Sequence, residues 1–164
     1  MNKESELFWI KPKVVSRDYY NGIFGHLHFR RAGKSSEVIN PLILLHQSPS
    51  NGRPFEGLME KISSDRLVLA IDTPGFGDSD APISPPNISD YAFSIIELIN
   101  DLNLDKVDLF GDHTGAKIAV EIIKQIPNKV GSAIFNSCPV YSKEQMDKMM
   151  IHLEEEKPKD IIPE

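Results

Sequence analysis

The sequence predicts an α/β fold built on a doubly wound, mostly parallel sheet. Residues 41–45 and 67–71 are continuous apolar runs, as expected for parallel strands buried on both faces. Segments with apolar residues at helical spacing alternate with these runs along the chain. Strands that alternate with helices form a sheet covered by those helices, and its crossovers are expected to be right-handed. A chain of 164 residues is most simply one such domain.

An antiparallel pair of strands is expected to lead into this sheet. Residues 8–16 and 25–31 form the pair, which meets at the turn-like residues 20–22. The two buried runs follow, and two shorter segments, 106–110 and 132–135, complete the series. Because the last of these would end the sheet, its unpaired backbone offers a route to self-association through an exposed edge.

Three helices are expected between the strands. The first is indicated by apolar residues that repeat on one helical face: Phe55, Leu58, Met59 and Ile62. Ser89 is the expected cap of the second, whose apolar positions continue to Leu102. The third covers residues 116–126 and ends at Pro127.

A short glycine-flanked segment between a strand and a helix is the most informative part of the chain. Residues 111–115 read Gly-Asp-His-Thr-Gly, which has the form of a G-x-nucleophile-x-G elbow. Such an elbow pushes its central side chain out at the head of a sheet, and the glycines relieve crowding in the turn. The central residue here is His113, where a serine usually stands.

Three further loops leave the carboxyl ends of the other predicted parallel strands. They carry His-Gln-Ser-Pro at residues 46–49, Asp-Thr-Pro-Gly-Phe-Gly-Asp-Ser at 72–79 and Asn-Ser-Cys-Pro at 136–139. Ligands bind at this edge of open α/β sheets, so the four loops together predict a ligand site.

In this set and order, the motifs resemble those of the α/β-hydrolase fold family, over roughly residues 10–150. They match H-G-x-P, D-x-P-G-x-G-x-S and G-x-nucleophile-x-G. In that family, the loop after the first motif and the residue after the nucleophile donate N–H groups to an oxyanion hole. The resemblance therefore implies the backbone N–H groups of Ser48 and Thr114, with Gln47 as the alternative to Ser48.

The resemblance also divides the chain. It implies an α/β-hydrolase core over residues 1–140 and the start of an incomplete lid over 141–164. Residues 142–145, Ser-Lys-Glu-Gln, form a capping box for a lid helix with an apolar stripe: Met146, Met149, Met150 and Leu153. The family places its catalytic His, and usually its acid, in later segments. The sheet is therefore expected to be truncated before the family's last strands.

Three departures from the family pattern bear on activity. Gln47 replaces the usual glycine, His113 occupies the nucleophile position, and Asn136 occupies a place where some members carry an acid. No complete triad can be assembled from the chain.

Two hypotheses for function follow. In the first, His113 supports hydrolysis of an ester-type or related acyl bond in a small molecule, either as nucleophile or by holding a water as general base. Asp112 is then either a structural neighbour or the charge partner of the imidazole. In the second, the chain is a non-catalytic scaffold of this fold that binds a ligand or a protein.

The remaining candidate side chains have simpler interpretations. His26 and His28 share one strand face and could hold a metal, but an exposed strand face is the favoured interpretation. His46 is expected to pack and to hydrogen-bond loop backbone, and Cys138 to be a small buried residue. We expect no metal and no cofactor.

Composition narrows the class of partner. The chain is 40% apolar and 26% charged with a net charge of -6 and no Lys/Arg cluster, which argues against nucleic acid. No apolar run approaches the about 20 residues of a membrane span. A single cysteine and a polar start favour a cytoplasmic protein. The resemblance to the α/β-hydrolase family implies a small-molecule substrate as the partner.

Overall fold

A six-stranded mixed sheet forms the centre of the computed structural model, which describes residues 14–155 and their side chains to residue 151. The strands within these residues are β1 Ser16–Gly22, β2 Gly25–Ala32, β3 Leu42–Leu45, β4 Val68–Ile71, β5 Val107–Asp112 and β6 Val130–Asn136. Their order is β1-β2-β4-β3-β5-β6, in which β1, β2 and β4 pair antiparallel and the other neighbours parallel. The predicted fold class is confirmed.

Helices cover both faces of this sheet. Those of the described residues are α1 Glu56–Ile62, α2 Ile88–Asp101, α3 Thr114–Gln125 and α4 Lys143–Glu155, with 3-10 turns at Arg53–Phe55 and Pro127–Lys129. Apolar side chains of α2 and α3, among them Ile95 and Ile122, pack on the face that carries Leu109 of β5. Met59 of α1 packs on the opposite face, against Leu44. The predicted doubly wound arrangement follows from these two clusters.

The opening hairpin lies further along the chain than predicted. Strand β1 starts at Ser16, and the predicted residues 8–13 lie outside the described part of the chain. The turn falls at residues 23–24, where Gly22 pairs with Gly25. Gly25 has a φ of +97°, a left-handed conformation that suits a tight hairpin turn. The aromatic residues that precede this turn favour a strand.

Helix α2 begins at a different cap from the predicted Ser89. The Asn87 side chain accepts hydrogen bonds from the N–H groups of Ser89 and Asp90, and the Asp90 carboxylate accepts one from the N–H of Asn87. This reciprocal pair is a capping box, and the acid three residues after Asn87 is what moves the start of the helix. The capping box predicted for α4 is present between Ser142 and Gln145.

A buried carboxylate ties the loop after β4 to β2. Asp72 is fully buried and accepts hydrogen bonds from the N–H groups of Gly52 at 2.6 Å and Asp78 at 3.0 Å, from His28 Nδ1 at 2.9 Å and from Arg30 at 3.0 Å. Burial by itself raises the pKa of this carboxyl, but these donors hold its pKa below the usual value. The expected exposed face of β2 is therefore wrong at His28, which is fully buried.

Strand β6 lies at one edge of the described sheet. It pairs with β5 alone among the described strands, and its residues Ile134 and Phe135 are 61% and 43% exposed. Self-association through this edge stays a prediction. Within residues 14–155, no helix combines the length and hydropathy needed to cross a bilayer.

Candidate active site

His113 lies on a sharp turn between β5 and α3, at the carboxyl edge of the sheet. Its backbone has φ 49° and ψ -107°, in the left-handed half of conformational space. A residue with a Cβ is held there at a cost of about 1–3 kcal/mol, and such strain clusters at functional sites. Its side chain is 50% exposed, so the imidazole is open to solvent at the head of the strand.

The flanking glycines allow this turn because the backbone segments around it are close together. A Cβ added to Gly111 would lie 2.5 Å from the Cα of Ala116, and one added to Gly115 would lie 2.5 Å from the carbonyl carbon of Leu45. Real Cβ atoms do not approach other atoms so closely. Glycine is therefore required where the turn touches α3 and where α3 touches β3.

The imidazole of His113 is paired with the carboxylate of the preceding residue. Nδ1 lies 2.9 Å from Asp112 Oδ1, which also accepts a hydrogen bond from Asn136 Nδ2 at 2.7 Å. An ionised carboxylate only accepts hydrogen bonds, so the neutral ring carries its hydrogen on Nδ1 and its lone pair on Nε2. The structure therefore shows Asp112 in direct contact with the imidazole, which is the contact that a charge partner would make.

Asn136 also belongs to the candidate site. From the sequence it stood out only as a position where some members of the family carry an acid. Besides its side-chain bond to Asp112, its carbonyl accepts a hydrogen bond from the N–H of His113 at 2.9 Å. The parallel pairing of β5 and β6 places it directly beside Asp112. The feature of the sequence that could have indicated this contact is that both residues end strands that are neighbours in the parallel sheet.

The loop after β3 lies against the first turn of α3. The N–H of Ser48 donates to Thr114 Oγ1 at 3.3 Å, which brings together the two residues predicted to form an oxyanion hole. Thr114 is the first residue of α3, where backbone N–H groups have no carbonyl partner within the helix and the helix dipole favours negative charge. Gln47 is exposed, and its carbonyl is bonded to His46.

His46 holds this loop in place, as expected from the sequence. It is buried, its Nδ1 lies 2.7 Å from the carbonyl oxygen of Gln47, and its Nε2 accepts a hydrogen bond from the N–H of Thr73 at 3.0 Å. Burial lowers the pKa of His46, because the charged ring would be poorly solvated and could not accept from Thr73.

This lowered pKa predicts a pH dependence of stability. Because the unfolded chain then binds a proton more readily than the folded one, the contribution is complete above the unfolded pKa of about 6.5 and is lost as the pH falls below it. The slope from this one group is at most about 1.4 kcal/mol per pH unit. Denaturant unfolding of the chain and of His46→Gln, which keeps an acceptor for Thr73, between pH 5 and 7.5 measures it. A slope equal in both proteins would assign the effect to other groups.

Comparisons with known proteins agree with the fold described above. The sequence profile of the alpha/beta hydrolase fold matches residues 40–159, and the chain belongs to that family. It is similar to a 2-(acetamidomethylene)succinate hydrolase of Mesorhizobium japonicum, at 32% identity over 111 residues, covering 66% of this chain and 40% of that protein. It is also similar to a proline iminopeptidase of Clostridioides difficile, at 29% identity over 126 residues, covering 72% and 43%.

Solved structures of the same fold superpose on the chain. The epoxide hydrolase VrEH1 from Vigna radiata has a TM-score of 0.74 at 20% identity, covering 85% of this chain and 46% of that one. The N-acyl homoserine lactonase AidH, complexed with N-butanoyl homoserine, has a TM-score of 0.71 at 23% identity, covering 81% and 48%. At these identities the likeness concerns the fold. The chain spans less than half the length of these four proteins.

Proposed function

We propose that this protein is a hydrolase of an ester-type or related acyl bond in a small molecule, and that His113 Nε2 carries the reaction. The observation that supports this most is the Asp112–His113 pair, held on a strained turn at the carboxyl edge of the sheet. Relatives named as a 2-(acetamidomethylene)succinate hydrolase and a proline iminopeptidase support hydrolysis as the reaction, and the acyl bond as its target is part of the proposal.

In the proposed reaction, the imidazole acts as general base and then as general acid. Nε2 removes a proton from a water molecule while the water oxygen attacks the acyl carbon. When the tetrahedral intermediate collapses, the proton passes from Nε2 to the oxygen of the leaving group. Asp112 stabilises the imidazolium in between, since its Oδ1 lies 2.9 Å from Nδ1. The alternative is direct attack by Nε2, which leaves the acyl group on the ring until water removes it.

The negative oxygen of the intermediate needs hydrogen-bond donors, and two backbone groups are placed to supply them. We assign this role to the N–H of Ser48 and the N–H of Thr114, with Gln47 as the alternative to Ser48. The Ser48 N–H already donates to a hydroxyl oxygen, Thr114 Oγ1 at 3.3 Å, a bond that a substrate oxygen could replace. One such donor is worth about 10²–10³-fold in turnover.

The segment after residue 140 is the proposed beginning of a lid over this site, and residues 1–140 the core. Tyr141 lies beside α3, with its ring centroid 5.4 Å from Lys117 Nζ, a cation–π contact. Helix α4 then exposes an apolar stripe that includes Met146, Met149 and Met150. Exposed apolar residues of a lid are suited to contact a small apolar substrate.

Turnover of a panel of activated esters, lactones and amides by the purified chain tests the proposal. Hydrolysis that exceeds the rate in buffer and saturates with substrate supports it. Mass spectrometry of the quenched reaction separates the two routes, because only direct attack adds an acyl group to the peptide that contains His113. Ligand-induced stabilisation without any turnover would instead support the binding-scaffold hypothesis.

Removing the Asn136 amide tests how the pair is held. In Asn136→Ala, Asp112 loses its 2.7 Å donor while His113 keeps the backbone bond to residue 136. We expect the free energy of unfolding to fall by only about 1 kcal/mol, since the side chain is exposed, and kcat to fall by roughly tenfold because the carboxylate is no longer fixed. Chemical unfolding and steady-state kinetics measure the two effects. An unchanged kcat would show that Asp112 does not need the hydrogen bond from Asn136 to hold the imidazole.

A further inference from the structure

We infer that His28 and Asp78 form a binding site for a divalent transition-metal cation such as Zn²⁺, where the loop after β4 meets β2. His28 is fully buried, and its Nε2 has no hydrogen-bond partner within residues 14–151. The nearest carboxylate oxygen to that atom given by the structure is Asp78 Oδ2, at 3.8 Å. Buried polar atoms are nearly always bonded, so this nitrogen requires an explanation.

The opposite side of the ring is arranged as in metal-binding histidines. His28 Nδ1 lies 2.9 Å from Asp72 Oδ2, and the ionised carboxylate can only accept, so the hydrogen of the neutral ring is on Nδ1. Nε2 is then a lone-pair acceptor that faces Asp78. A carboxylate that fixes the tautomer of a histidine, with the other nitrogen on the metal, is the usual outer arrangement around a bound cation.

The separation of the two atoms fits a shared cation better than a hydrogen bond. A distance of 3.8 Å is too long for a hydrogen bond. Two metal–ligand bonds of about 2.0–2.2 Å can span it. Candidate ligand atoms of His28, Asp72 and Asp78 all lie within 4.8 Å of one another. Because both oxygens of Asp72 already accept two hydrogen bonds each, Asp72 supports the site from outside while water completes the coordination.

The charges around the site favour a cation. Three carboxylates, of Asp72, Asp78 and Glu56, face two guanidinium groups, of Arg30 and Arg17, which leaves one negative charge when the imidazole is neutral. Arg17 lies 3.9 Å from Asp78 Oδ2 and is 58% exposed, so it can turn into solvent when a metal binds. An imidazole nitrogen beside a carboxylate favours Zn²⁺ over Mg²⁺, which prefers oxygen ligands.

Thermal unfolding of the chain with Zn²⁺ tests this site independently of any hydrolysis. We expect the melting temperature to rise with Zn²⁺ but not with Mg²⁺, and the half-maximal Zn²⁺ concentration to rise at least tenfold in Asp78→Ala. Asp80→Ala is the matched control, because Asp80 is an exposed acid of the same loop whose carboxylate contacts His26, and it should respond like the unchanged chain.

Four results would overturn the site, three in the melting experiment and one in the spectra. The first is the absence of a Zn²⁺-dependent rise, and the second is an equal response of Asp78→Ala and the unchanged chain. The third is loss of the response in Asp80→Ala alone, which would place the metal on His26. Imidazole ¹⁵N spectra add a direct readout, since Zn²⁺ should shift His28 Nε2. A ring that is protonated on both nitrogens and insensitive to Zn²⁺ would show that a proton occupies the position.

Discussion

Replacing His113 by alanine is expected to lower kcat for an activated ester by roughly 10²–10⁴-fold, the usual contribution of a general base. The imidazole is the one described side chain at the head of β5 that is paired with a carboxylate and half exposed to solvent. Its removal takes away Nε2 and leaves Asp112 without a partner ring. The N–H groups of Ser48 and Thr114 remain, so a small residual rate from the proposed oxyanion hole is expected.

His26→Ala is the matched control, since His26 is an exposed histidine that also pairs with an aspartate, Asp80 at 3.0 Å. It should leave kcat unchanged. His113→Gly separates activity from stability, because glycine relieves the backbone strain at φ 49° and should raise the free energy of unfolding by about 1 kcal/mol while lowering kcat as much as His113→Ala does. If His113→Ala retained full activity, the chemistry would lie elsewhere in the chain.

Gly115→Ala is expected to have the largest effect on stability, a loss of about 3 kcal/mol or more. The added Cβ would meet the backbone of Leu45 and His46, with the Leu45 carbonyl carbon at 2.5 Å. A backbone atom cannot turn away as a side chain does, so α3 would have to move off β3. That movement would also separate Ser48 from Thr114, and the activity should fall together with the stability.

Gly57→Ala is the control for this change. Gly57 lies in α1, and a Cβ there meets nothing within 4 Å apart from its chain neighbours and the backbone of its own helix, so alanine should stabilise the helix by about 0.5–1 kcal/mol. Urea unfolding of both variants gives the two free energies. A Gly115→Ala protein as stable as the unchanged chain would mean that α3 and β3 are not in close contact.

Local patterns in the sequence were sufficient to predict the parallel strands of the sheet and the position of His113 between a strand and a helix. Apolar runs such as 67–71 are specified by their own residues, as is the strand-to-helix turn with glycine on both sides. The turn of the opening hairpin was predicted too early in the chain because Gly22 and Gly25 both suit a turn. Which of them forms it depends on the pairing of the two strands, which no local pattern contains. The cap of α2 was missed by two residues because Asn87 and Ser89 are both good caps.

Contacts between distant segments could not be predicted from local patterns alone. Asn136 meets Asp112 only because β6 pairs with β5, and His28 meets Asp72 across 44 residues of chain. A two-residue period correctly placed His26 and His28 on one face of β2, but it could not tell that the loop after β4 covers His28 and leaves His26 exposed. Burial of such polar residues depends on which loop folds over them.

The tautomer of His113 tests the central claim most directly, because the proposed chemistry needs a lone pair on Nε2. Long-range ¹H–¹⁵N correlation spectra at a pH where the ring is neutral distinguish its two nitrogens. We predict the hydrogen on Nδ1, bonded to Asp112, with Nε2 unprotonated, and a loss of this preference in Asp112→Asn. A ring that carries its hydrogen on Nε2 in the unchanged chain would contradict the account.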